Sequence, residues 1–263
     1  NRLRIERVSA GRRISVRRNR GAGQPPVIWR LDIFRNFCYS RSMNTKIYAM
    51  NAQGRDFTEE RFLPYVSEGR RQEARKRRKD RDRQLYLAAE VLLNRSLQLE
   101  GRSLPLPVPY TRNPYGKPCL PKWAGRYANW SHSGTWVICV LSDREAGIDL
   151  QEAGKEPKEA LIRRTLQPEE LAFYEQAPAD RKKRLFYEYW VLKESFLKAK
   201  GTGFHTSLDT FYIEMGNGAP EAVQRAGGPL YTCRLLDFAD QGYAAALCVE
   251  GEEDPGELRI KYL

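Results

Sequence analysis

Apolar and polar residues alternate from Lys46 to Met50, the period of a strand with one buried face. Thr58, followed by Glu59 and Glu60, then reads as the N-cap of a helix running through Val66. Residues 70–99 contain neither Pro nor Gly, and the pattern predicts one long helix there. Its start is densely charged, whereas Leu85, Leu87, Ala88, Val91 and Leu92 recur at helical spacing, so the basic end is expected in solvent and the distal end in a core. Prolines 105, 107, 109, 114, 118 and 121 make residues 103–122 irregular. TWVICVLSD (135–143) reads as a buried strand and GIDL (147–150) as a second short one. Pro168 ahead of Glu169 and Glu170 opens a helix to about Gln176, and a further helix runs from Arg181 to Lys200, where Gly201 stops it. Residues 211–215, 230–237 and 242–250 read as strands.

A helix with a charged face, a loop and a strand of similar flavour recur in the two halves, TWVICV in the first and YAAALCV in the second. The echo predicts an α+β fold of two similar subdomains in a pseudo-twofold monomer: residues 43–143, then residues 144–263 carrying the metal site, with a ligand cleft between them. Residues 1–42 show no sustained period and are read as a basic, unstructured leader or non-native extension. An Arg-rich transit peptide or an RNA-binding arm is the functional alternative.

Charge sharpens that division. The 263 residues carry a formal charge of +12, but residues 1–42 hold eleven arginines against Glu6 and Asp32, which leaves +3 for the remainder. A nucleic-acid-binding reading therefore rests on residues 1–42 and the run 70–83, where no aromatics are interleaved for base stacking. Five cysteines without metal-site or redox spacing are expected to be reduced and mostly core, in a cytoplasmic protein. No apolar stretch reaches the roughly 18–20 residues needed to span a bilayer.

Several residues are candidates for chemistry. Asp149 ends an apolar strand, a position suited to a metal ligand or, equally, to a turn cap. On the 181–200 helix, Leu185, Tyr189, Leu192 and Phe196 share one stripe, with Glu194 and Lys198 opposite, where the pair reads most simply as a solvated ion pair. Lys193 projects between Phe186 and Leu197, where an ammonium is costly unless an anion meets it. NWSHSG (129–134) reads as a turn whose amides, with Ser131, Ser133 and His132, can hold phosphate oxygens. Tyr115, Gly116 and Lys117 add a cation and a close backbone approach. The run from Arg70 to Lys79 is a solvated helix face, or a cover for a polyphosphate or an acidic protein.

Taken together, YGKPCLP (115–121), NWSHSG (129–134), GIDLQ (147–151) and WVLKESFLKAKGTG (190–203) resemble the surfactin-synthetase-activating type of 4'-phosphopantetheinyl transferase. The family pattern places a G-I/V-D strand some forty residues before W-x-x-K-E-x-x-x-K, and here Asp149 and Glu194 are 45 residues apart. The resemblance implies transfer of phosphopantetheine from coenzyme A to an acyl or peptidyl carrier protein, with coenzyme A in the cleft and Mg²⁺ held by Asp149, Glu194 and position 151. Glu194 would also help deprotonate the carrier serine, and Lys193 and Lys198 would stabilise phosphate charge, with Lys198 counted beside Glu194 as catalytic. Lys117 would meet the coenzyme near its adenine and phosphate end, Ser131 and His132 its 3'-phosphate or pyrophosphate, and Arg70 its 3'-phosphate.

One departure stands out. The family commonly has Glu two residues after the strand Asp, and this chain has Gln151, an amide that offers an oxygen but no charge. Weaker Mg²⁺ binding is the expected consequence, and a non-catalytic, coenzyme-gripping scaffold is the alternative. The expected partners are acidic carrier proteins of peptide, polyketide or fatty-acid synthesis, with no membrane and no nucleic acid.

Overall fold

The computed structural model describes residues 44–101, 104–216, 220–251 and 258–263, and before them only Arg4–Ile5 and Val16–Arg17, which pair as a two-residue ribbon in a separate unit, residues 1–41. The reading of residues 1–42 as a leader lies outside the described residues. Residues 42–263 form one compact unit.

That unit contains two large sheets and a short two-stranded hairpin. The first is built from β1 (Lys46–Asn51), β2 (Tyr127–Ser133) and β3 (Trp136–Ser142), and the second begins with β4 (Ala146–Glu152). Helices α1 (Glu68–Arg75) and α2 (Asp80–Leu99) lie between β1 and β2. After β4 come α3 (Glu159–Thr165), α4 (Pro168–Gln176) and α5 (Ala179–Lys200). Strands β5 (Phe211–Glu214), β6 (Glu221–Gln224), β7 (Tyr231–Leu235), β8 (Tyr243–Glu250) and β9 (Ile260–Tyr262) follow. The sheet orders are β9-β1-β3-β2 and β4-β8-β7-β6-β5, and every pairing is antiparallel except β9 with β1. The α+β class expected from the sequence is the class observed.

Strand alternation explains the layering. In β1, Tyr48 and Met50 face the cluster formed with Leu85, Ala88 and Leu92 of α2, whereas Ile47 and Ala49 face Ile148, Leu150 and Leu247 of the second sheet. On the far side of that sheet, Ala244, Ala246 and Cys248 pack against Leu185, Tyr189, Leu192 and Phe196 of α5. The order is helix, sheet, sheet, helix, and each fully buried Leu or Phe contributes about 1.5–3 kcal/mol. No helix among the described residues is long and apolar enough to cross a membrane. Cys139, Cys233 and Cys248 are buried free thiols and Cys119 is exposed, whereas Cys38 lies outside the described residues.

Three local expectations are corrected. The helix expected over residues 70–99 is two helices, because Arg75–Lys79 is an unbroken run of five cations that repel one another at helical spacing. Lys79 adopts an extended N-cap conformation, and α2 restarts with Asp80 and Asp82 in its first turn, where carboxylates suit the helix dipole. The segment after Thr58 is a 3-10 helix, Glu60–Tyr65, containing Pro64. Thr58 does not cap it: the N-cap is Glu59, which makes no side-chain cap, and the Thr58 amide and hydroxyl both donate to Asp56 Oδ1. NWSHSG, expected as a turn, is the end of β2, and the hairpin tightens only at Gly134–Thr135, with Gly134 at φ 59°.

Candidate active site

The site is assembled by the closeness of α5 to β4. Gly147 makes it possible: a Cβ there would lie 2.1 Å from the Ser195 carbonyl oxygen and 2.2 Å from the Ala199 nitrogen. With no side chain in the way, α5 lies directly on the strand, and Asp149, two residues on and on the same face of β4, meets α5 one turn from Glu194.

Asp149 is nearly buried. Its Oδ1 accepts the Ser131 hydroxyl at 2.7 Å and the Lys198 ammonium at 2.5 Å, and that ammonium also donates to the Ile148 carbonyl. Glu194 is partly buried and makes no hydrogen bond or ion pair among the described residues. Burial first, then the neighbouring Asp149 charge, pushes its carboxyl above the ordinary range, with Lys198 opposing. Gln151 shares the Asp149 face of β4, and its side chain makes no hydrogen bond among the described residues. The donor set suits a hard divalent cation: two carboxylates, one left without a partner, and an amide oxygen. Among the described residues no group of three His, Cys, Asp or Glu side chains is disposed to hold a metal.

Beyond Lys198 a cleft of about 250 Å³ opens between α5 and the short hairpin formed by Thr111–Arg112 and Pro118–Cys119. Asn113 pins that hairpin to the end of α5. Its Nδ2 donates to the Gly201 carbonyl at 2.7 Å while its Oδ1 accepts the Tyr115 and Lys117 amides.

His132 is exposed at the end of β2, yet crowding protein and the cations Lys198, Arg70 and Arg77 push its imidazole down to about 4, against Asp82. Arg70 is 4% exposed: its Nε donates to the Tyr86 carbonyl, and its guanidinium carbon sits 3.4 Å from the Tyr86 ring centroid. No carboxylate pairs with it among the described residues, and burial depresses its pKa.

Ser131, Asp149, Glu194 and Lys198 are thus brought together, with His132 and Arg70 within electrostatic reach. Two expected ligands are not free for the coenzyme. Lys193 does meet an anion, but it is protein: Nζ lies 2.8 Å from both carboxylate oxygens of Glu170, which also accept the Gln167 and Ile213 amides. A phosphate role for Lys193 is corrected on that ground, since the pair is buried between α4, α5 and β5. Lys193→Met is expected to cost about 3–5 kcal/mol in chemical denaturation by stranding Glu170. A phosphate ligand would instead show lost nucleotide affinity at unchanged stability. The Lys117 ammonium is likewise engaged, pairing with Glu145 and the Ala199 carbonyl, so only its backbone and methylene stem line the cleft. Arg112, in the Pro-rich stretch, also lines the cleft, which the sequence pattern did not indicate.

A family model described as the 4'-phosphopantetheinyl transferase superfamily matches residues 145–248, the segment holding Asp149, Glu194 and Lys198. The chain is 26% identical over 202 residues to 4'-phosphopantetheinyl transferase Sfp of Bacillus subtilis, covering 76% of this chain and 89% of that protein. It is 28% identical over 210 residues to 4'-phosphopantetheinyl transferase psf-1 of Bacillus pumilus, covering 77% and 89%. To 4'-phosphopantetheinyl transferase HetI of a Nostoc species it is 32% identical over 142 residues, covering 52% and 58%. In motif order, in spacing and along three quarters of its length, this chain is similar to proteins of the 4'-phosphopantetheinyl transferase superfamily.

Proposed function

We propose that the protein moves the 4'-phosphopantetheine group of coenzyme A, with Mg²⁺, onto a serine of an apo acyl or peptidyl carrier protein and releases adenosine 3',5'-bisphosphate. The observation that carries the reading is the convergence of Asp149 and Glu194 on Lys198, which lines the cleft, in a chain similar to this family. The serine oxygen bonds to the phosphorus on the pantetheine side of the pyrophosphate, and the bridging P–O bond breaks with its electron pair leaving on the nucleotide. Glu194 takes the serine proton, directly or through one water; its partnerless, raised carboxyl is a better base than an ordinary exposed one. Lys198 is placed to shift from Asp149 to the leaving phosphate as negative charge builds there. Ser131 fixes the Asp149 carboxylate.

Asp149, Glu194 and the Gln151 oxygen would hold Mg²⁺, which when bound neutralises pyrophosphate charge. Because Gln151 brings no charge, Gln151→Glu is expected to lower the Mg²⁺ concentration for half-maximal transfer roughly 10-fold. An unchanged Mg²⁺ dependence would remove position 151 from the metal site.

The exposed cations from Arg75 to Lys79 give the first half a surface that steers an acidic carrier. The cleft is complete within one chain, which supports a monomer, and we read the two helix-backed sheets as the halves of a pseudo-twofold. Unpaired buried thiols fit a cytoplasmic setting. The test is release of adenosine 3',5'-bisphosphate from coenzyme A when apo-carrier is added. Release that requires the carrier and stops with a chelator is the expected result. Release without the carrier would mean simple hydrolysis.

A further inference from the structure

Strands β2 and β4 are each the end strand of their sheet, and they share no ladder pairing among the described residues. An end strand carries a row of N–H and C=O groups without ladder partners, and burying such groups is costly unless something bonds them. Side chains of β2 do so for β4. Asn129 Oδ1 accepts the Ile148 amide at 3.0 Å, and Ser133 Oγ accepts the Glu152 amide at 3.0 Å. Asn129 is 5% exposed and Ile148 fully buried, so water cannot replace the first of these bonds.

Residues 129, 131 and 133 are alternate positions of β2 and share one face. The outer two take backbone amides of β4, and the middle one, Ser131, takes the Asp149 carboxylate. The two backbone contacts therefore bracket residues 149–151, the stretch that carries Asp149 and Gln151. Asp149 Oδ1 receives Ser131 at 2.7 Å from β2 and Lys198 at 2.5 Å from α5. A β4 that slides along β2 loses one of these partners or both. An amide oxygen suits the position beside Ile148, because it accepts the N–H without adding a second carboxylate charge near Asp149.

We propose that Asn129, with Ser133 as its counterpart at the other end, is a positioning residue that clasps the edge of β4 to β2 and so holds Asp149 where Ser131 and Lys198 reach it. Its expected effect on rate rests on the transfer reading above.

Asn129→Leu removes the acceptor at similar volume. Ser133→Ala does the same at a half-buried position that the fold tolerates, and it carries the test alone if the first variant does not fold. In metal-free protein, hydrogen exchange at the Ile148 amide is expected to quicken roughly 10- to 100-fold in Asn129→Leu, and at the Glu152 amide roughly 3- to 10-fold in Ser133→Ala. In the same order kcat is expected to fall roughly 10- to 100-fold and roughly 3-fold, with the KM for coenzyme A unchanged, because orientation is lost and binding is not. Ser133→Thr keeps the hydroxyl and should restore both readings. Unchanged exchange would mean that there is no clasp, and quickened exchange at the parental kcat would mean that the clasp positions nothing; either overturns the proposal. So would a loss in Asn129→Leu carried by KM while Ser133→Ala behaves as the parent, since Asn129 lines the cleft and would then be touching the coenzyme. A parent chain that transfers nothing, in which the variants still quicken exchange at Ile148 and Glu152, would unseat the proposed function and leave the clasp standing.

Discussion

Gly147→Ala is expected to lower stability by about 2–3 kcal/mol and to slow transfer roughly 100-fold. The added methyl carbon would stand 2.1 Å from the Ser195 carbonyl oxygen and 2.2 Å from the Ala199 nitrogen. Both are backbone atoms of α5, so no rotamer change relieves the clash, and the helix itself must lift. Lifting it loosens the contact of Leu192 and Phe196 with the sheet beneath and draws Glu194 and Lys198 away from Asp149. Stability and transfer should therefore fall together, read by denaturation midpoint and by initial rate on a carrier protein. A Gly147→Ala protein with native stability and native rate would mean that α5 does not lie on β4 as described.

Glu194→Gln is expected to do the opposite to stability while abolishing most of the activity. Glu194 has no hydrogen bond or ion pair among the described residues to lose, and its charge is disfavoured by burial and by Asp149. The raised carboxyl means that the folded protein binds a proton more readily than the unfolded chain. The stability this group contributes is full at low pH, below the ordinary carboxylate pKa, and is lost as pH rises through its raised folded value. Without added divalent cation, the glutamine variant should match the parent at low pH and become the more stable of the two as pH rises. Transfer should fall about 1,000-fold, the scale on which a general base and a charge stabiliser act. Loss of activity accompanied by loss of stability would instead make Glu194 a structural residue.

How much of this was readable in the sequence depended on how local the determinant was. Helix α5 was legible because its apolar stripe and the Gly201 stop lie within one segment, and TWVICV and GIDL because continuous apolar runs bounded by polar residues leave few alternatives. The break at residues 76–79 carries no Pro or Gly to mark it, and only the five adjacent cations signal it. Ser and Gly dominate NWSHSG and suggest a turn, yet pairing of Ser131 with Ile138 and of His132 with Val137 holds it in the sheet.

The site divides in the same way. Asp149, Glu194 and Lys198 could be placed from motif spacing, and the fold brings them together. For Lys193 the helical wheel correctly required an anion but could not say which. The answer lay in Glu170, 23 residues away on another helix, where sequence order carries no contact information. The Lys117–Glu145 pair escaped for the same reason. Gly147 showed no signal in the sequence beyond being glycine, and its role is visible only against the backbone of α5.

The central claim is that these residues transfer phosphopantetheine, and the most direct test is the intact mass of an apo-carrier protein incubated with this chain, coenzyme A and Mg²⁺. The account predicts a gain of one phosphopantetheine on one serine, absent with Glu194→Gln. Carriers of several kinds that stay unmodified while the chain demonstrably binds coenzyme A would contradict it.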